Sequence, residues 1–181
     1  MATMILLPDS TVSSHPAWEK VGALTYQACL ESADGATTYT TCDNDATFFR
    51  VGYANPPVAE EDIDFDEDVF VRFLSSGKSA HRNSSSLVDI DFNSPTGNPT
   101  QSCSYDAHRT DFTTVNGTSR EFSDGSSAAW TYSDLESLEM KCTKDDTVEV
   151  WLSYLALEVT YTAVAGEEVI TDNATFFGAN F

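Results

Sequence analysis

The chain has 181 residues, 41% of them hydrophobic, and sets 29 Asp and Glu against 9 Lys and Arg, for a formal charge of −20. That length can bury one core and gives no sign of a second, while the charge excludes general affinity for nucleic-acid phosphate, which comes from Lys and Arg displacing counterions. No apolar run approaches the eighteen or so residues that span a bilayer, so neither nucleic acid nor membrane is an expected partner. The excess acid favours solubility and suits salty or divalent-rich water, where repulsion is screened within about 8 Å or less.

The opening residues, Met1 to Asp9, have no basic region, and their apolar run is too short for a secretory leader. This predicts synthesis in a cytoplasm. Ala23 to Glu31 is one of two stretches capable of a helical turn. Thr37 to Cys42 and Ala46 to Ala54 are rich in β-branched and aromatic residues and predict strands, with Asp43-Asn44-Asp45 as a turn between them and Asn55-Pro56-Pro57 ending the second.

Asp62 to Leu74 reads as a strand with Ile63, Phe65, Val69, Val71 and Phe73 on one parity, closed by Ser75-Ser76-Gly77-Lys78. Ser86 to Phe92 follows, with Val88, Ile90 and Phe92 alternating, and breaks at Asn93 to Pro99. Gln101 to Ala107 and Asp111 to Val115 are weaker strand candidates. Ser133 to Ser137 is the second helical candidate, with Ser133 as its N-cap.

The final segments carry the clearest pattern. Leu138, Met140 and Cys142 alternate with Glu139 and Lys141, the period of a strand with one wet face. From Thr147 to Thr162, Val148, Val150, Leu152, Tyr154, Ala156 and Glu158 form one parity, and Glu149, Trp151, Ser153, Leu155, Leu157, Val159 and Tyr161 the other. This run starts half wet and ends apolar on both faces or across a bend. With Thr143-Lys144-Asp145-Asp146 read as a polar turn, the two segments predict a hairpin whose last strand is long and central. About eight short strands with turn residues between them predict an all-β fold, an antiparallel jelly-roll sandwich spanning 1–162, with 163–181 as a C-terminal extension. Leu138, Met140 and Val150 join the parity set above as its expected inward residues.

Candidate sites are few. Cys29, Cys42, Cys103 and Cys142 lie far apart with no Cys-x-x-Cys spacing, which favours buried thiols over disulfides or metal ligation. Asp62, Asp64, Asp66 and Asp68 would share one face of a strand about 6.6 to 7 Å apart. That row is a solvated face or a set of hard-oxygen ligands for calcium, and it lacks the Gly and terminal Glu of an EF-hand. The histidines His15, His81 and His108 occur in no catalytic motif, and Asp106, His108, Arg109 and Asp111 read as a surface ion cluster. No catalytic residue and no resident cofactor is therefore expected. Asp172 to Phe177 nearly repeats Asn44 to Phe49, and Phe176, Phe177 and Phe181 would be costly to leave in water.

The N-terminal Leu6-Leu7-Pro8-Asp9, Trp18, the Asp- and Thr-rich stretch Asp34 to Asp45, the Trp130-Thr131 to Leu138 segment and the run from Val148 to Tyr161 together resemble the small jelly-roll virion proteins of tailed phages. The resemblance covers Ile5 to Thr162. It implies a non-enzymatic structural virion protein that decorates or cements a capsid, made in the host cytoplasm and displayed on the virion surface, with the major capsid protein or another virion protein as partner. The alternative it leaves open is a glycan-binding adhesion module on a tail or fibre. On the decoration reading, Phe176, Phe177 and Phe181 form the interface of a homo-oligomer, a trimer sharing its C-terminal extensions. Exposed aromatics in a cleft would favour sugar recognition; burial of Trp18, Trp130 and Trp151 would favour assembly.

Overall fold

The computed structural model describes residues 1–31, 37–43, 47–79, 86–93, 100–105, 112–124, 127–144 and 149–164, with the backbone alone for 79, 86–93 and 100–105. The chain is all-β, a jelly-roll sandwich of two antiparallel sheets. One sheet contains β1 (Ala2–Leu6), β3 (Glu19–Val21), β4 (Tyr39–Cys42), β6 (Phe70–Ser79), β9 (Thr113–Asn116) and β11 (Val150–Tyr161). The other contains β2 (Pro8–Ser14), β5 (Phe48–Tyr53), β7 (Ser86–Asn93), β8 (Thr100–Tyr105) and β10 (Glu139–Lys144). The five-stranded sheet is ordered β2-β5-β10-β7-β8, and the six-stranded sheet β3-β4-β11-β6-β9, with β1 off that path and paired to β11.

β11 organises the larger sheet. Along one side it pairs with β6 from Val150 to Thr160; on the other it pairs first with β4 and then with β1. Its centrality and length are as expected. Its irregular parity has a definite cause: Leu152 pairs with Gly77 and Tyr154 with Ser76, so Ser153 is an extra residue at a bulge. Val150 and Leu152 face the core before it and Leu155, Leu157, Val159 and Tyr161 after it, all buried.

The expected hairpin between the last two strands is not formed. β10 lies in the five-stranded sheet between β5 and β7, and β11 lies in the other sheet. Each strand buries one face, Met140 and Cys142 on β10 and Val150 and Leu152 on β11. Two such faces are satisfied by meeting across the core of a sandwich as well as by lying side by side, and β11 already has partners along both edges. Thr143 and Lys144, read as turn residues, are the end of β10, and Lys144 is fully buried with its Nζ 3.5 Å from the carbonyl of Asp43.

Three further expectations are corrected. The acidic row is not a strand: Glu60–Asp62 is a 3₁₀ turn, and β6 begins only at Phe70. Clustered carboxylates repel along an extended face, and Asp64 instead uses Oδ1 to accept from the Asp66 amide at 3.1 Å, which bends the chain. Ser75 to Lys78 does not close β6 but is its second half, paired with Leu155 through Trp151. The second helix, α2 (Tyr132–Glu136), is capped by Thr131 rather than Ser133, because Asp134 sits three residues after Thr131 and completes a capping box. β1, β2 and β3 carry no strong sequence signal and bring the strand count among the described residues to eleven. Pairing also runs slightly past Thr162, with Val164 N donating to Asp62 O at 3.1 Å.

The core lies between the sheets and includes the expected Ile63, Val69, Val71, Phe73, Leu138, Met140 and Val150, with Phe65 partly buried against it. Val88, Ile90 and Phe92 occupy β7 in register with Lys144, Cys142 and Met140; their side chains lie outside the described set. α1 (Tyr26–Leu30), the first expected helix, adds Tyr26, Cys29 and Leu30 to the core. Its Tyr26 ring stacks on Phe49 at 5.5 Å, and Trp18 meets the same ring edge-on at 4.7 Å.

Candidate functional site: the outward face of the six-stranded sheet

The outward face of the six-stranded sheet is set by alternation. On β4, Thr40 and Cys42 are buried, so Tyr39 and Thr41 point away from the core; on β11, Val150 and Leu152 are buried, so Trp151 does the same. Register then places Thr41 and Lys78 directly on either side of Trp151. Without the bulge at Ser153, Tyr154 would turn inward. With it, Tyr154 follows Trp151 on the outward face, half-buried. Leu74, Arg72 and Phe70 of β6 continue that face, and Thr114 and Asn116 of β9 are exposed at its edge.

Phe112, immediately before β9, gives the face its shape. The strands carrying Tyr39 and Phe112 are separated by β11 and β6, about 14 Å at the usual spacing between strands. Their ring centroids nevertheless lie 6.2 Å apart. Phe112 therefore leans across β6 and β11, roofing the row beneath it. Lys78 lies in this enclosure, with Nζ 4.8 Å from the centre of the Phe112 ring and 5.2 Å from that of Trp151, both within cation–π range. Tyr39, Trp151, Phe112 and Lys78 are all half-buried, which leaves part of each open to solvent.

Polar groups surround the aromatics. Thr41 Oγ1 donates to Glu149 Oε1 at 2.9 Å, and both line a depression of about 90 Å³ with Ala17, Glu19, Cys42 and Asp43. Farther along, Arg72 Nε donates to Glu158 Oε1 at 2.6 Å. Burial pushes the Tyr154 hydroxyl above its ordinary pKa, and the nearby Glu158 carboxylate adds to the effect. Tyr154 thus remains a neutral donor on this face. A half-exposed aromatic floor edged by hydroxyls, carboxylates and one ammonium can hold a ligand with an apolar face and a polar rim.

The residues singled out from sequence are placed elsewhere. Trp18 and Trp130 are buried in the core, and Trp151 alone of the three reaches the surface face. Asp66 and Asp68 line a second depression with Phe65, Glu67, Val69, Glu121, Phe122, Ala129 and Trp130. Asp62 and Asp64 are on the preceding turns, and among the described residues no group of three or more His, Cys, Asp or Glu is placed to hold a metal ion. Cys29, Cys42 and Cys142 are buried thiols, with Cys42 Sγ 3.1 Å from Thr47 Oγ1; the Cys103 side chain is outside the described set. His15 is exposed and accepts from the Ala17 amide at 3.1 Å. His81, the Asp106, His108, Arg109 and Asp111 cluster, and Phe176, Phe177 and Phe181 lie outside the described residues. Among the described residues no helix is long and apolar enough to cross a membrane.

Sequence reasoning missed Tyr39, Lys78 and Phe112 as site residues. The available signal was the strand that contains Lys78: Ser75 to Lys78 looked like a turn because its residues are small and polar, and only pairing with β11 makes them strand.

No family model matches the chain, and no curated protein matches it. Solved structures of similar fold include a family 16 carbohydrate-binding module at 14% identity and TM-score 0.41, covering 78% of this chain and 84% of that one. They also include the CBM22-1 xylan-binding domain of Xyn10C from Paenibacillus barcinonensis, at 12% identity and TM-score 0.39, covering 87% and 98%. A family 30 carbohydrate-binding module is similar at 10% identity and TM-score 0.42, covering 96% and 95%. At these identities and scores the likeness carries no function to this chain.

Proposed function

We propose that the chain is a non-catalytic glycan-binding module whose binding surface is the outward face of the six-stranded sheet. One observation carries this reading: Tyr39 on β4, Trp151 on β11 and Phe112 just before β9 are gathered, half exposed, on one face of one sheet, while the other two tryptophans are buried. The C–H face of a pyranose is apolar and slightly positive, and it packs on the negative face of an aromatic ring. Its hydroxyl rim then meets Thr41, Glu149, Thr114 and Asn116. Because these groups ride on strands held by register, they need little ordering on binding, which lowers the entropic cost of recognition. Nothing in such a site requires a nucleophile or a general base. A tail or fibre adhesion module of a virion is one setting in which such a surface would act.

The test is affinity electrophoresis against a panel of soluble polysaccharides, followed by titration calorimetry on any that retards the chain. Trp151→Ala should weaken binding by at least tenfold, about 1.4 kcal/mol, with Lys141→Ala on the opposite sheet unchanged as the control. If no polysaccharide is bound, or if the two variants behave alike, the proposal fails.

A further inference from the structure

Lys78 gives this surface a preference that a plain aromatic platform would lack. We infer that the glycan it recognises carries an anionic group, a carboxylate or a sulfate, seated at the Lys78 ammonium; this rests on the glycan-binding reading above. The described ion pairs are Arg50–Glu139 and Arg72–Glu158, and Lys78 belongs to neither. In a chain with 29 acidic residues and 9 basic ones, a lysine set on a binding face between two rings is a specific placement.

The rings of Phe112 and Trp151 hold the ammonium through their π faces and supply no anion to neutralise it. Partial burial between them strips part of its water, so an incoming anion meets a donor whose desolvation has already been partly met. A charge-assisted hydrogen bond at such a point is stronger than a neutral one. Lysine is a compact point charge with rotatable donors and imposes no planar two-point geometry, which suits carboxylate and sulfate alike. The flanking Glu149 and the paired Glu158 act against a second charge close by. The overall charge of −20 likewise opposes dense polyanions, although screening limits that repulsion to about 8 Å at physiological salt. The fitting ligand is therefore a mostly neutral sugar chain with an isolated acidic residue.

The experiment compares three oligosaccharides of equal length in 0.15 M NaCl: a neutral glucan, the same backbone with one uronic acid, and the same backbone with one sulfate ester. The intact chain should bind at least one charged oligosaccharide about 5- to 10-fold more tightly than the neutral one. Lys78→Gln should abolish that margin, so that the variant binds charged and neutral oligosaccharides equally, and Lys78→Arg should retain it. The two charged arms decide between carboxylate and sulfate. Equal affinity for all three, or a margin that survives Lys78→Gln, overturns this inference and leaves the glycan-binding reading standing. Failure of all three and of the wider polysaccharide panel to bind overturns both. Should Lys78→Gln fail to fold, the comparison of charged and neutral ligands on the intact chain still decides the matter.

Discussion

Trp151 and Tyr154, three residues apart on β11, face the same side of their sheet. In an unbroken strand such residues face opposite sides. The bulge at Ser153 supplies the extra residue that brings them together, and the same shift keeps Val150 and Leu152 before it, and Leu155 and Leu157 after it, in the core. One residue therefore reconciles the long hydrophobic run with a binding face.

Deleting Ser153 should leave the sheet intact. Deletion removes only the extra residue, so Leu152 stays opposite Gly77 and Tyr154 opposite Ser76. Tyr154, Glu158 and Thr160 then keep their outward face, and the expected result is a retained cooperative thermal transition. Ser153→Ala leaves the bulge in place and removes a buried hydroxyl that has no hydrogen-bond partner. It should be neutral or stabilising by up to about 1 kcal/mol in urea unfolding. A destabilisation larger than that would show that the hydroxyl holds the bulge.

Gly22 should tolerate no side chain. Its φ is +79°, and a Cβ there would lie 1.9 Å from the Thr37 carbonyl oxygen. Gly22→Ala combines a left-handed conformation with a backbone clash, and should cost about 2 kcal/mol or more in denaturant unfolding. A loss under about 0.5 kcal/mol would mean that this loop moves freely aside.

Tyr53 should make the fold sensitive to alkali. It is buried, its hydroxyl donates to the Leu155 carbonyl at 3.2 Å, and its pKa is raised well above 10.0, chiefly by burial and secondarily by Cys142 and Tyr154. In the unfolded chain the phenol ionises near pH 10, while in the folded chain it stays protonated. The unfolded state then binds fewer protons, so stability is complete below pH 10 and falls as pH rises above it toward the folded value. Tyr53→Phe should lose about 1 kcal/mol at pH 7 with the hydrogen bond and show a shallower decline in melting temperature above pH 10. An unchanged alkaline decline would assign it to other groups.

Asp134 should matter beyond its short helix. Its Oδ2 accepts from the Thr131 amide at 3.0 Å and from the Thr131 hydroxyl at 2.7 Å, and the residue is buried. Asp134→Ala should destabilise by about 1 to 2 kcal/mol, the range for losing a cap, and Asp134→Asn should recover part of it. Ser133→Ala, at the position expected from sequence to be the cap, should change stability by less than about 0.5 kcal/mol.

Much of the fold was legible because it follows from nearest neighbours along the chain. The alternation of Leu138, Met140 and Cys142 specifies an inward and an outward face wherever that strand lies, and all three are buried. The turn at Asn55-Pro56-Pro57 stops β5 at Tyr53 because proline has no amide to donate. By contrast, β2, with its Pro8-Asp9-Ser10-Thr11-Val12-Ser13-Ser14 sequence, is exposed beyond Pro8 and is a strand only because β5 lies beside it.

The sequence by itself determined an all-β chain with one core, an acidic surface and the inward residues of its strongest strands, because composition and period-two burial are local properties. Only the tertiary structure decided that β10 and β11 face each other across the core instead of forming a hairpin, since an alternating strand specifies which face is buried and leaves open which strand lies beside it. The binding face depends on the same non-local choices. Tyr39, Lys78, Phe112 and Trp151 are scattered over four strands or their ends, and what gathers them is the register of β11 with its neighbours and the lean of Phe112 across it. Those are contacts between residues far apart in the chain, and no spacing along it encodes them.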